Sequence, residues 1–295
     1  MTAALRTRFA PSPNGALHLG HAYAAVRAHD LAREMGGAFV LRIEDIDGVR
    51  SRPELVAAIY QDLQWLGLDW DGPVLFQSAR LAAYDAALAD LDARGLLYPC
   101  FCTRGQIVAA SERSGAKSGP DGLVYPGTCR ALPVGERASR IASEPHSWRL
   151  DMARAIATTG PLVWHDLAAG AQPARPHLFG DVILARKDAP ASYHLAVTLD
   201  DAHQEISHVV RGMDLFAASH VHRILQALLG LPTPVYLHHA LLAGGDGRKL
   251  AKSDGAAGLA QLRRDGADGP ALVESLRKNH LPTGISWVQP SYHLA

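Results

Sequence analysis

Two histidines, His18 and His21, stand three residues apart where a short apolar run gives way to a helical pattern. At a helix start, unpaired N–H groups and the helix dipole favour a phosphate. Two imidazoles on one helical face can each donate a hydrogen bond to phosphate oxygens. Gly20 lies between them without a side chain, so a flat base such as adenine could approach the backbone there. Far along the chain, Lys249 and Lys252 are again three apart, just after the glycine-rich run Ala243 to Gly247. Nucleotidyl transfer needs developing negative charge neutralised, and two cations beside a mobile loop suit a clamp on a triphosphate. Taken singly, each pair has an ordinary explanation, as helix-start histidines or a solvated lysine run.

A third constellation is Cys100-Phe101-Cys102 with Cys129. Three cysteines cannot all pair within one chain, and in a reducing compartment such a cluster points to metal. A tetrahedral zinc site needs a fourth ligand. His146 is the nearest downstream histidine, and Tyr125 lies four residues before Cys129.

These residues need a scaffold. Leu5 to Ala10 reads as a strand, Pro11 to Gly15 as a turn, Leu17 to Met35 as a helix and Ala38 to Ile43 as a buried strand. Strand, helix, strand in that order makes a right-handed βαβ unit of a parallel sheet. Helices are expected over Pro53 to Leu66 and Ser78 to Arg94. Strands are expected over Trp148 to Leu150, Pro161 to Trp164, Asp181 to Ala185, His194 to Thr198 and Ile206 to Arg211. A helix over Leu215 to Gly230 and a strand over Val235 to Leu242 follow, then helices over Leu259 to Arg264 and Pro270 to Lys278. Between the halves, Tyr98 to Cys129 reads as an insert holding a flexible stretch, Ser111 to Gly122, and Ala131 to His146 as an irregular linker. The organisation expected is 1–97 for the first half of a Rossmann-like α/β catalytic domain and 98–147 for the insert and linker. Residues 148–253 complete that domain, and 254–295 form a short helical tail. Zero formal net charge over 295 residues gives no global pull toward nucleic acid, so any RNA contact must be local. No signal peptide or membrane-length apolar run is present, so a cytoplasmic protein is expected.

In order and separation, His-Leu-Gly-His and Lys-Leu-Ala-Lys-Ser resemble the signature pair of class I aminoacyl-tRNA synthetases, with Ala251 where a serine is common. Three further words are similar to the glutamyl branch: Arg8 to Gly15, Arg42 to Asp47, and Ser192 to Ala196 followed by Val209 to Gly212. The resemblance runs from about Arg6 to Ser253. It implies a parallel-sheet catalytic domain in which His18, His21, Lys249 and Lys252 are catalytic, with His18, Gly20, His21 and Lys252 holding ATP. It also implies that Arg8, Ala10, Ser12, Glu44, Tyr193 and Arg211 line an L-glutamate pocket. Arginines suit the two carboxylates, Glu44 the ammonium, and Ser12 and Tyr193 supply hydroxyls. Val197 stands where full-length enzymes often carry asparagine, which would loosen the grip on the ammonium. Short enzymes similar to this chain use a tyrosine as a zinc ligand, which implies Cys100, Cys102, Tyr125 and Cys129 as a structural Zn²⁺ site.

The implied reaction is attack of the glutamate α-carboxylate on the α-phosphate of ATP, with Mg²⁺ bridging the phosphates. About 40 residues follow Ser253, too few for an anticodon-binding domain. The length and motifs resemble the glutamyl-queuosine tRNA(Asp) synthetases. That resemblance implies activation without tRNA, then transfer of glutamate to queuosine at the wobble position of tRNA(Asp), by a monomer. The alternatives are a synthetase charging tRNA 3′ ends, a pantothenate synthetase-like ligase and a non-catalytic RNA- or metal-binding module.

Overall fold

The computed structural model describes residues 4–48, 50–115, 117–245, 247–250 and 258–288. Lys252 therefore lies outside the described residues.

The chain opens with β1 (Arg6–Phe9), α1 (Leu19–Glu34) and β2 (Ala38–Ile43), as the apolar pattern predicts. After α2 (Pro53–Trp65) and the short β3 (Leu75–Phe76), a 3-10 turn leads into α3 (Leu81–Ala93). The central region holds β4 (Leu97–Cys100), α4 (Arg104–Ser114), β5 (Ser118–Gly119), β6 (Gly122–Leu123), α5 (Val134–Ser143) and β7 (Ser147–Leu150). Next come α6 (Met152–Thr159), β8 (Val163–Asp166), β9 (Gly170–Pro173), β10 (Ile183–Ala185), α7 (Tyr193–His203), β11 (His208–Gly212), α8 (Ala218–Leu229) and β12 (Val235–His239). The last described elements are β13 (Leu241–Ala243), α9 (Leu259–Arg264), α10 (Gly269–Arg277) and β14 (Ser286–Val288).

β1, β2 and β3 are parallel, as are β11, β12 and β8, while β9 closes an antiparallel hairpin on β8. The two groups meet at β1 and β11, where the Ser207 N–H donates to the Arg6 carbonyl at 3.1 Å and the Arg6 N–H to Ser207 Oγ at 2.8 Å. The two sheets, β3-β2-β1 and β11-β12-β8-β9, thus lie edge to edge, and the direction of winding reverses between β1 and β11. In such sheets the ligand crevice opens at the carboxyl ends of the two strands at the reversal. Arg8 and Arg211 lie at those ends.

The cysteine region hangs on a separate antiparallel sheet, β10-β7-β4. At the other end of the chain, α9 and α10 pack on α2 and α1, burying Leu259, Val273 and Leu276 in the first-half core. A Cβ on Gly269 would meet the Trp65 carbonyl oxygen at 1.9 Å, so only glycine allows this approach.

Three expectations are corrected. His194 to Thr198 lies in α7, not in a strand: the Ser192 hydroxyl caps the helix by accepting from the Leu195 N–H at 3.4 Å, and the cap outweighs the β-branched Val197 and Thr198. Ala131 to His146 is not irregular, because α5 forms there on Arg140 ion pairs with Glu136 and Glu144; it buries no residue, hence the weak apolar pattern. The stretch from Ser111 to Gly122 contains the end of α4 and the β5–β6 hairpin, with Thr103 and Gln106 forming a capping box at the start of α4.

Candidate active site

α1 begins with a reciprocal cap made of histidines. His18 Nδ1 accepts from the Gly20 N–H at 3.1 Å, and His21 Nδ1 accepts from the His18 N–H at 3.1 Å. The rings face each other with centroids 3.8 Å apart. Each Nδ1 is thus an acceptor, so the neutral rings carry their proton on Nε2, a tautomer that gives each ring an Nε2–H donor. A Cβ on residue 20 would lie 3.0 Å from His18 Cε1, so the glycine makes room for the capping ring itself.

The chain after β13 turns back beside this cap. The Leu250 N–H donates to the Leu242 carbonyl at 2.8 Å, and Lys249 bridges Ala243. Gly258 bridges His18, and the Leu259 N–H donates to the Leu17 carbonyl at 2.9 Å. Gly258, where the described residues resume, thus lies against the histidine cap. The ammonium of Lys249 pairs with the carboxylate of Asp214.

A cavity of about 430 Å³ opens at the carboxyl ends of β1 and β11. Arg8, Ala10, Ser12, Glu44, Tyr193 and Arg211 all line it, together with His21; His18 and Lys249 do not. One wall is a lattice of opposite charges. Arg8 reaches Asp201 through Nε at 2.9 Å and Nη2 at 3.3 Å. Arg42 contacts Asp201 at 2.8 Å, Glu44 at 3.5 Å and Gln204 Oε1 at 3.0 Å. Burial raises the Asp201 carboxyl, but Arg8 and Arg42 more than offset this and hold it below the usual carboxylate range. For Glu44 burial wins, and its pKa stays raised despite Arg42 and Arg8. A ligand ammonium beside Glu44 would favour its charged form.

The opposite wall is different. The guanidinium of Arg211 is buried, and its partners are neutral. Nε donates to His238 Nε2 at 3.1 Å and Nη2 to Ser219 Oγ at 2.7 Å. Nη1 lies 3.3 Å from the Tyr193 hydroxyl and 3.2 Å from His222 Nδ1. Burial drives the His222 pKa well down and that of His238 down to about 4, so both rings are neutral. Among the described residues no carboxylate pairs with Arg211. An uncompensated buried cation in a cavity is a receptor for an anion.

Sequence reasoning did not find Asp201, Ser219, His222 or His238. A hint existed for one of them: His238, with His239, ends the apolar run of β12.

The three cysteine sulfurs lie within 4.8 Å of one another, Cys102 and Cys129 at 3.6 Å, with the Tyr125 hydroxyl 3.5 Å from Cys102 Sγ. Thiolates at ~2.3 Å and an oxygen at ~2.0 Å around a tetrahedral zinc stand about 3.8 Å and about 3.5 Å apart. The spacing fits a metal held by Cys100, Cys102, Tyr125 and Cys129. Burial pushes the Cys102 thiol up to about 11 and raises the Tyr125 phenol, whereas hydrogen bonds from Tyr125, the Phe101 backbone and the other cysteines outweigh burial and lower Cys129; a cation at the centre would favour the ionised form of all of them. His146 instead packs against Phe101 and Trp148, away from the sulfurs.

Residues 4–284 match the model of the class I tRNA synthetases (E and Q), catalytic domain. The chain belongs to this family. It is therefore a ligase of the ATP-using synthetase class. It is 48% identical over 281 residues to the glutamyl-Q tRNA(Asp) synthetase of Rhodobacter capsulatus, covering 92% of this chain and 98% of that protein. It is 44% identical to the protein of the same name from Symbiobacterium thermophilum, covering 91% and 84%. Among solved structures, the glutamate-tRNA synthetase of Elizabethkingia anophelis superimposes with a TM-score of 0.73 at 29% identity, over 85% of this chain and 53% of that one. The chain thus matches about half the length of that synthetase. No helix of the described residues is long and apolar enough to cross a membrane.

Proposed function

We propose that this chain activates L-glutamate with ATP, without tRNA, and transfers it to queuosine at the wobble position of tRNA(Asp). The observation that carries the amino-acid assignment is Arg211, a buried guanidinium with only neutral partners, facing the Arg8–Asp201–Arg42–Glu44 lattice across one cavity. Glutamate brings two carboxylates and one ammonium. A carboxylate meets Arg211 and the Tyr193 hydroxyl, and the ammonium sits by Glu44. Arg8, Ala10 and Ser12 complete the pocket.

The α-carboxylate then attacks the α-phosphate of ATP, and pyrophosphate leaves. His18 and His21, each with an Nε2–H donor, hold phosphate oxygens at the start of α1, with Gly20 between them. Lys249 and Lys252 neutralise the charge that develops on the leaving group. No covalent protein nucleophile is needed; positioning and electrostatics suffice. Mg²⁺ is the counterion of the nucleotide. Zn²⁺ on Cys100, Cys102, Tyr125 and Cys129 ties the 98–147 region together and takes no part in the chemistry. In the second step a hydroxyl of the queuosine cyclopentenediol attacks the acyl carbon, and AMP leaves.

The acceptor rests on the likeness to the two glutamyl-Q tRNA(Asp) synthetases, whose names state it. We place the protein in the cytoplasm as a monomer. Nucleoside mass analysis of tRNA(Asp) after incubation with glutamate and ATP tests the acceptor. Glutamate on queuosine, and none on queuosine-free tRNA, is expected. Glutamate on the 3′-terminal adenosine of either tRNA would instead make the chain a charging synthetase.

A further inference from the structure

The partners of Arg211 continue into the protein on the side away from the cavity. His238, on β12, receives Arg211 Nε–H on its Nε2 at 3.1 Å; its Nδ1 lies 2.7 Å from Asp166 Oδ2, at the end of β8. Both side chains are fully buried. Asp166 is held in turn: Oδ1 accepts from the Ala168 and Ala169 N–H groups at 2.9 Å each, and Oδ2 also accepts from the His238 backbone N–H at 3.1 Å. Burial works against its charge, but the hydrogen bonds from His238, Ala169 and Ala168 outweigh it and keep the carboxylate ionised. An ionised carboxylate can only accept, so His238 must donate from Nδ1 and present a lone pair on Nε2. Only that tautomer can accept from Arg211.

We propose that Asp166 and His238 are positioning residues for the substrate carboxylate: Asp166 fixes the His238 tautomer, and His238 with Ser219 occupies the Nε–Nη2 edge of Arg211, turning its remaining donors to the cavity. The inference rests on the reading that Arg211 receives a glutamate carboxylate. The interposed imidazole explains how the site carries a balancing negative charge without blocking the receptor. A carboxylate in direct contact would occupy the guanidinium, as Asp201 occupies Arg8. At one imidazole's remove, Asp166 offsets part of the charge while no carboxylate among the described residues sits on the guanidinium itself. Neither Asp166 nor His238 lines the cavity, so neither touches the substrate.

The substitution Asp166→Asn tests this. Its amide oxygen can still accept from Ala168 and Ala169, but its NH₂ group gives up the bond from the His238 backbone N–H and must donate to His238 Nδ1. That forces the proton to His238 Nε2, against Arg211 Nε–H, the same tautomer logic that governs a triad aspartate. In glutamate-dependent exchange of pyrophosphate into ATP, Asp166→Asn should raise the glutamate KM by about 10- to 100-fold, with ATP KM and kcat nearly unchanged. In the ¹⁵N spectrum of labelled protein, the His238 proton should move from Nδ1 to Nε2. A glutamate KM unchanged while the tautomer moves would overturn the proposal.

If Asp166→Asn does not fold, His238→Gln and His238→Leu decide. The glutamine oxygen can still accept from Arg211 and should keep the glutamate KM close to that of the parent; leucine cannot and should raise it. Equal KM values in the two would overturn the proposal. Arg211→Ala run alongside separates the two levels. If it leaves the glutamate KM unchanged, the pocket assignment itself fails, whatever the Asp166 and His238 variants do.

Discussion

The two walls of the cavity hold arginines in opposite electrostatic states. Arg8 belongs to a closed lattice in which two guanidiniums, Arg8 and Arg42, face two carboxylates, Asp201 and Glu44. Arg211, across the cavity, has four neutral partners and an anion only beyond His238. The first wall pairs its arginines with carboxylates before any ligand arrives and shapes the pocket. The second is completed by what binds. Arginine at a strand end can therefore be architecture or receptor, and its counter-charge tells which.

The largest effect is expected from breaking the closed wall. Arg8→Met leaves a buried Asp201 with one cation instead of two, and should cost about 3–5 kcal/mol in urea unfolding as well as activity. Arg211→Met should split these readouts. It removes a guanidinium whose direct partners are all neutral, so it should cost less stability than Arg8→Met. The glutamate kcat/KM in pyrophosphate exchange should fall by about 100-fold or more (~3 kcal/mol). If Arg211→Met unfolds the protein and Arg8→Met does not, the comparison is inverted.

A smaller effect follows from Glu44. Its raised pKa means that the charged form is lost at a higher pH than for a free glutamate side chain, about 4.3. As pH falls, the glutamate KM should begin to rise above that value, and Glu44→Gln should abolish the acid limb while weakening binding at neutral pH. An acid limb that survives in Glu44→Gln would assign it to another group. The smallest effect on activation is expected from the cysteine cluster, which hangs on its own sheet. Elemental analysis should find one zinc per chain, lost in Cys100→Ser, with pyrophosphate exchange changed by no more than about threefold at 25 °C once the protein is folded. A folded parent protein without metal would refute the site.

Much of the frame was legible because periodicity and punctuation are local. β2 and α9 have the bounds that the apolar pattern predicts, and α8 closes at Gly230 in a left-handed conformation. The resemblance to the glutamyl branch, carried by local motifs, implied Arg8, Ala10, Ser12, Glu44, Tyr193 and Arg211 as one set, and all six line one cavity. Long-range pairing was not legible. Asp201 lies 193 residues from Arg8, and Asp166 lies 72 from His238. A lone aspartate or histidine in a sequence carries no mark of its partner. α7 was misread for a related reason: Val197 and Thr198 favour a strand locally, whereas Ser192 and the buried ion pairs of Asp201 decide for helix.

The central claim is that the cavity activates glutamate by itself. Radiolabelled pyrophosphate exchange into ATP, run with purified protein, Mg²⁺ and no RNA, measures this directly. The prediction is exchange that depends on L-glutamate, is weak with glutamine, which lacks the second carboxylate, and collapses in Arg211→Met. Exchange that stays absent until tRNA is added, or that glutamine supports as well as glutamate, would contradict it.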